Sequence, residues 1–414
     1  MIRAGEASEA GQTGLQAAAG LAPYAVLILA VWAAWQIVCA PVLERAPPEI
    51  AIRISPTSPT VLRRAAEAEL AARRFDNAEN LARRALQAAP FDVRALSVIG
   101  MAIAERDRDT ADEILTLAGN RSLRDDPTHA WLMQERLRRG DYASSFAHAD
   151  TLARRRPDLQ PGIFNLFRTA AREDPRSLRP LISLLSVSPP WRTTFFDSLY
   201  VDPQGGPVLA ALAIGLQNTS GPLDDAELGR LYGYWLETHR VEAVRLVRDR
   251  IGRPSPNVLL TDGDFLESSP PGPFGWTLNQ SPDFTAAVMN DDRRGGDSAL
   301  RVDLQGIGGG RVAQQFMLLR PGAYRFSFEA RSESEAADTG LIWRIECIGG
   351  GRVMERRLDA LAGNGPWISF ENSFVAPSGC EGQRLVLEAP PSERRGPQRV
   401  VWIDRIRIER QTRQ

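Results

Sequence analysis

Residues 257–276 read NVLLTDGDFLESSPPGPFGW, and the reading of this stretch decides the fold. An apolar run ends in Thr261-Asp262-Gly263-Asp264, Phe265 follows, and a loop crowded with Pro and Gly leads to Trp276. Before it, apolar residues recur at helical spacing. After it they alternate, which is the period of a strand. The alternating segments are Ala299–Leu304 (ALRVDL), Arg311–Leu319 (RVAQQFMLL), Ala323–Ala330 (AYRFSFEA) and Leu341–Cys347 (LIWRIEC). Ile368–Val375 (ISFENSFV), Arg384–Leu387 (RLVL) and Val400–Ile408 (VVWIDRIRI) complete them. Turn residues such as Arg320-Pro321-Gly322 and Gly349-Gly350-Gly351 separate the segments. Short strands in that number imply a sandwich or jelly roll over residues 257–410. The opening stretch is then its first strand and loop: Gly263 permits a tight bend, Phe265 enters the core, and the loop crosses one end to Trp276.

Upstream, Pro47–Pro59 reads as part of a linker over 44–60, and 61–252 as all-α. Leu62–Pro90, LRRAAEAELAARRFDNAENLARRALQAAP, is built from strong helix formers. It resembles a tetratricopeptide repeat, a pair of antiparallel helices of about 34 residues. Ala66, Ala78 and Ala85 stand at the close helix crossings, Phe75 at the turn and Pro90 at the stop. Weaker copies run from Val93 to Pro127, with Gly100, Ala111 and Leu115, and from Trp131 to Pro157, with Gly140 and Tyr142. Ser145 replaces a small apolar residue in the third. Ser188–Arg192 interrupts the array, and Glu227–Val247 suggests one more pair. Stacked pairs share a core and curve into a groove. Such a groove either holds an envelope protein partner or serves as a spacer. The pairs Arg63-Arg64, Arg73-Arg74 and Arg83-Arg84 read as a solvated helix face.

Leu21–Leu43, LAPYAVLILAVWAAWQIVCAPVL, carries no charge. It is expected to be a transmembrane helix, with residues 1–20 a cytoplasmic tail. Long domains translocate largely regardless of flanking charge. The expected location is therefore a bacterial inner membrane, crossed once, with the bulk of the chain in the periplasm. Cys347 and Cys380, at the ends of separate strands, suit an oxidising compartment as a disulfide; two buried thiols is the alternative.

The 414 residues carry a net charge of −1, which argues against nucleic acid as a partner. There is no Lys, so every basic side chain is Arg. His129, His148 and His239 are not at metal-ligand spacing. No GxSxG elbow, P-loop or HExxH is present. Gly306–Gly310 lies between strands, and Glu333 and Glu335 fall in a polar loop. No enzyme activity is expected.

The C-terminal segments, in order, resemble the carbohydrate-binding modules of the galactose-binding-like jelly-roll type. The matching stretches are Asn257–Phe265, Phe274-Gly275-Trp276, Gly296–Val302, Gln314–Arg331 and Trp402-Ile403-Asp404. The resemblance implies a glycan or polysaccharide ligand stacked on flat aromatics, for which Trp276, Trp343 and Trp367 are candidates. Trp343 also alternates with Leu341 and Ile345, as a core residue would. It further implies a structural calcium ion clipping the first strand to the last, through Asp264, Glu267 and Asp404, and no other cofactor. The expected function is a non-catalytic scaffold in exopolysaccharide or cell-surface glycan assembly. The alternative is a protein-assembly adaptor of the cell envelope that binds no glycan; a third reading, a glycan-active enzyme, would need two facing carboxylates in a cleft.

Overall fold

The structure, a computed structural model, describes residues 26–35, 42, 45–202, 204–266, 272–334, 339–359, 361, 363, 365–392 and 396–411. It divides into two compact units, one up to Ile163 and one from Phe164. The expected membrane-spanning helix over 21–43 is corrected. Residues 26–35 are helical, but among the described residues no helix is long and apolar enough to cross a membrane. At about 1.5 Å per residue, those ten residues reach about half the thickness of a hydrocarbon layer. The rest of that segment, apart from Val42, and the tail 1–20 lie outside the described residues.

The linker is helical too. Its prolines Pro48 and Pro59 occupy first-turn positions of α1 (Pro48–Ile54) and α2 (Pro59–Ala71), where a missing N–H costs nothing. α2 pairs with α3 (Phe75–Ala88), α4 (Val93–Ile103) with α5 (Arg108–Arg121), and α6 (Asp126–Arg138) with α7 (Tyr142–Arg155). Ala66, Ala78, Ala85, Ala111 and Leu115 are fully buried, as their spacing predicts. A Cβ on Gly100 would lie 2.6 Å from Leu115, so that crossing requires glycine. Ser145 is also fully buried, its hydroxyl donating to the Met133 carbonyl at 2.9 Å. Asp92, Asp107 and Asp141 cap α4, α5 and α7.

The second unit begins within α8 (Gln160–Glu173) and continues through α9 (Leu178–Leu185), α10 (Arg192–Tyr200) and α11 (Gly206–Leu216) to α12 (Asp225–Glu237) and α13 (Val241–Ile251). The Ser188–Arg192 interruption brings Trp191 and Arg192 into the core. Trp191 packs against Phe164, Phe167 and Phe195, with ring centroids 5.5–6.1 Å apart. Arg192 is buried, pairs with Glu227 at 2.8 Å and donates to the carbonyls of Leu185, Gly221 and Pro222.

The sandwich follows in the same unit. One sheet has the order β1-β5-β10-β7-β8 and the other β2-β3-β4-β11-β6-β9, with every named pair antiparallel. The five-stranded sheet comprises β1 (Thr277–Leu278), β5 (Gly308–Met317), β7 (Ile342–Cys347), β8 (Arg352–Arg357) and β10 (Gln383–Ser392). The six-stranded sheet comprises β2 (Gln280–Ser281), β3 (Phe284–Asp291), β4 (Asp297–Leu304), β6 (Gly322–Ser332), β9 (Ile368–Ala376) and β11 (Arg399–Arg410). Their inner faces meet in one apolar core that includes Val302, Phe326, Phe328, Trp343, Leu385 and Ile403. Cys347 and Cys380 are joined as a disulfide with Cα atoms 5.3 Å apart.

The opening stretch forms no strand over 257–265. Instead the buried amide of Gln315 serves as its ladder partner, accepting from Thr261 N at 2.9 Å and donating to Thr261 O at 3.0 Å. Phe265 enters the core as expected. Gly263 lies in a tight turn closed by the Phe265 N–H to Asp262 O bond at 3.3 Å, and it also permits close approach: a Cβ there would sit 1.9 Å from the Ile406 carbonyl. The last helix pair is seated on the sandwich. Arg248 lies over the Phe274 ring at 4.7 Å and donates to the carbonyls of Pro254, Ser255 and Val258. Gly229 of α12 meets Gly272 so closely that a Cβ on the latter would lie 2.3 Å from its Cα.

Candidate functional site

The three candidate tryptophans do not form one platform. Trp343 is 0 % exposed, enclosed by Phe326, Phe328 and Trp276, and offers no face to a ligand. Trp276 is half-buried against the core and donates from Nε1 to the Asp262 carbonyl at 2.9 Å, which ties down the opening stretch. Trp367 lies apart from both, at the outer face of the six-stranded sheet. Its Nε1 donates to Asp291 at 3.0 Å and the Arg294 guanidinium covers its ring at 4.0 Å.

That outer face carries a dense ionic network. Asp291 and Arg331, each 2 % exposed, make a bidentate pair at 2.6 and 3.1 Å. Burial acts to raise the Asp291 carboxyl, but the hydrogen bonds from Arg331, the Arg293 amide and Trp367 hold it below its ordinary value. Arg331 lies over Trp402, whose Nε1 donates to Glu333 at 2.8 Å. Arg294 pairs with Asp404 at 2.6 Å and with Glu329. Burial raises the Asp404 carboxyl despite the Arg405 amide and Arg294, and burial lowers Arg294.

Two of the three candidate calcium ligands therefore already have cationic partners, and the third, Glu267, lies outside the described residues. Asp264 is gripped by Arg407 at 2.6 and 2.5 Å, and Asp404 by Arg294. Among the described residues no group of three or more candidate ligands gathers. The residues present thus do not suit a cation. Arg407 and the Ile406 N–H to Gly263 O bond, at 2.9 Å, fasten the opening stretch to β11 as calcium was expected to do.

A site that the sequence reading missed lies on the outer face of the five-stranded sheet. Phe316 and Gln314 of β5 point outward, opposite Arg384 and Val386 of β10. Phe316 is half-buried, with the Arg384 guanidinium 5.8 Å from its ring. Among the described residues, the buried Gln314 Oε1 and Arg384 Nε find no hydrogen-bond partner. Arg384 also reaches Glu346 at 3.2 Å. Beside them opens a cleft of about 630 Å³, walled by Phe316, Arg384, Glu346 and Arg352, by Gly349–Gly351, and by Glu237 at the end of α12 and His239 just beyond it. The floor is rigid sheet and the rim is pinned by the disulfide at Cys347. An aromatic face in a cleft walled by guanidinium and carboxylate groups can hold a ring whose edge bears hydroxyls.

No protein-family model matches the chain, and no curated protein matches it. Solved structures resembling the strand region are carbohydrate-binding-module-like sandwiches. A sugar-binding protein from Bacteroides thetaiotaomicron VPI-5482 is 12% identical with a TM-score of 0.30, over 37% of this chain and 100% of that one. The CBM22-1 xylan-binding domain from Paenibacillus barcinonensis Xyn10C is 13% identical with a TM-score of 0.26, over 36% and 91%. The CBM6cm-2 module from Cellvibrio mixtus lichenase 5A is 15% identical with a TM-score of 0.22, over 33% and 92%. Likeness of that degree carries no argument about a ligand.

Proposed function

We propose that the protein is a non-catalytic glycan-binding scaffold, with the sheet-face cleft as its binding site. The observation that carries the reading is the half-buried Phe316 ring lining the cleft, with the Arg384 guanidinium 5.8 Å from it and Glu346 in the same wall. A sugar ring can stack on Phe316 while its hydroxyls meet the Arg384 guanidinium and the Glu346 carboxylate of the cleft wall. The non-catalytic part rests on the nearby carboxylates. Glu346 is paired with Arg384, Glu355 with Arg344 and Arg352, and Glu388 with Arg344, which spends the groups that acid–base work needs. The helical hairpins starting at Pro59, Val93 and Asp126 support tetratricopeptide-like repeats that present a surface to a protein partner. The disulfide supports an oxidising compartment such as the periplasm, and a role in exopolysaccharide or surface-glycan assembly follows from these parts together.

The test is affinity electrophoresis of the full chain in gels containing neutral or acidic polysaccharides. Retardation by at least one polymer, weakened about tenfold or more by Phe316→Ala, supports the reading; no retardation by any polymer sinks it. A second reading, a protein-assembly adaptor without glycan binding, is supported by the buried or hydrogen-bonded state of Trp276, Trp343 and Trp367. It predicts that Phe316→Ala leaves every polymer result unchanged.

A further inference from the structure

A second cleft, of about 450 Å³, lies where α13 meets the opening stretch and the β5–β6 turn. Among the described residues, four arginines line it, Arg245, Arg248, Arg320 and Arg410, against a single carboxylate, Asp249. Two of the four are committed elsewhere. Arg248 is buried and spends its hydrogen bonds on the carbonyls of Pro254, Ser255 and Val258, and Arg245 donates to the Glu381 carbonyl at 2.7 Å. The other two are exposed, and among the described residues neither has a carboxylate partner. They stand on rigid supports. The Arg320 carbonyl accepts from the buried Tyr324 hydroxyl at 2.8 Å, and Arg410 is paired in the sheet with Tyr324. Two free guanidiniums in a cleft with excess positive charge form a receptor for a planar oxyanion, which guanidinium binds through two parallel hydrogen bonds.

The walls narrow the choice of anion. Leu259, Leu318 and Pro256 supply apolar surface for the C–H face of a ring, and the exposed Asn257 amide can serve hydroxyls. A bare phosphate would leave these groups unused. The geometry points to a hexuronate carboxylate of an acidic polysaccharide, held by Arg320 and Arg410 at a site separate from the sheet-face cleft. This deepens the glycan-binding reading by naming an acidic class of polymer, and it rests on that reading.

The experiment compares the full chain with Arg320→Gln/Arg410→Gln and with Phe316→Ala, on polygalacturonate and on neutral dextran and xylan. Both arginines are exposed, so the double variant should melt as the parent does. The expected result is at least tenfold weaker retention of the double variant on polygalacturonate, with neutral-polymer binding unchanged. Unchanged retention on polygalacturonate overturns the proposal. Should the parent bind no polymer, the glycan reading fails, and calorimetric titration with monomeric galacturonate decides the anion site alone. Saturable binding that the double variant loses upholds the site. No saturable binding, or inorganic phosphate binding as tightly, removes it.

Discussion

On the helix surfaces of the first unit Arg83 and Arg154 reach for a carboxylate one turn away; in the sandwich Arg331 reaches across the fold. Arg83–Glu79 and Arg154–Asp150 are i,i+4 pairs on helix surfaces, with the arginine side chains 54% and 42% exposed. Arg331–Asp291 joins β6 to the end of β3, 40 residues away in sequence and out of solvent. The same side chain is a solubilising fringe in one place and a structural strut in the other. The difference lies in desolvation. An exposed pair gains little, because water serves each partner almost as well, whereas removing half of a buried pair strands the other half. Not every helical pair is of this kind: Arg136 reaches Asp112 from 24 residues away at 2.8 Å, and Glu135 differs again. It is 1% exposed, gathers Arg138, Arg139 and Arg108, and the Arg138 hydrogen bond leads in pulling its carboxyl down to about 2 against burial.

The largest effect should therefore come from Arg331→Ala, which leaves Asp291 buried and unpaired at a cost of about 3–5 kcal/mol. Arg154→Ala, its counterpart on a helix, should cost less than about 1 kcal/mol. Urea melts of the two variants measure both, and equal costs would break the contrast. Next comes Cys380→Ser. Opening the disulfide, which spans 33 residues, should cost about 3–4 kcal/mol in the chain-entropy estimate. The loss should register in the strands, and amide exchange across β7 and β10 should rise while α2–α7 stay protected.

The alternating pattern after Pro256 made the sandwich legible, because period two survives in most of its strands. The helical hairpins were legible for a similar reason: Ala66, Ala78 and Ala85 are small where crossing helices leave no room. The sheet-face cleft was hidden by a local irregularity. The ladder shifts register between the Leu387–Ala313 and Glu388–Arg311 pairs, so Val312 is an extra residue and the alternation resets there. Counting outward and inward positions from Val312 puts Phe316 in the core, whereas it points out. The signal available was Gln314-Gln315, a polar pair that a two-sided apolar strand would not carry. Arg407 was missed because charge partners from opposite ends of a domain leave no spacing to read, and the greasy run 21–43 looked complete by composition alone.

A mild-acid effect should be smaller and confined to the helical unit. His129 Nε2 lies 3.1 Å from the Ser122 carbonyl, which only accepts, so that nitrogen carries a proton. In the neutral ring Nδ1 then accepts, and His148 Nδ1–H donates to it across 3.0 Å. Burial, then His129 and Arg136, lower His148 to about 4, against the weaker pull of Asp141 and Asp112. A histidine depressed in the fold binds its proton more readily when unfolded. Its stabilising contribution is whole above the unfolded value of about 6.5 and is lost as pH falls toward 4. We expect a loss on the order of 1–2 kcal/mol across that window, seen as faster amide exchange in α6 and α7, and abolished by His148→Phe. An equal loss in the variant would remove the histidine pair as its cause.

The smallest effect tests the fastening of the opening stretch. Arg407 and Asp264 are 44% and 35% exposed on their side chains, so Arg407→Gln should cost no more than about 1 kcal/mol. Its value is in what calcium then does. With both arginines in place, the Asp264 and Asp404 carboxylates are already compensated, and the melting temperature should be the same in millimolar calcium and in chelator. Freeing Asp264 restores one hard oxygen ligand beside the Gly263 carbonyl, but that carbonyl already accepts from Ile406 N and Asp404 remains held by Arg294. Arg407→Gln should therefore lose stability without gaining a calcium response, whereas Arg294→Gln/Arg407→Gln should gain one. A calcium-dependent rise in the parent's melting temperature would mean that the metal, and not the guanidinium, fastens this end of the sandwich.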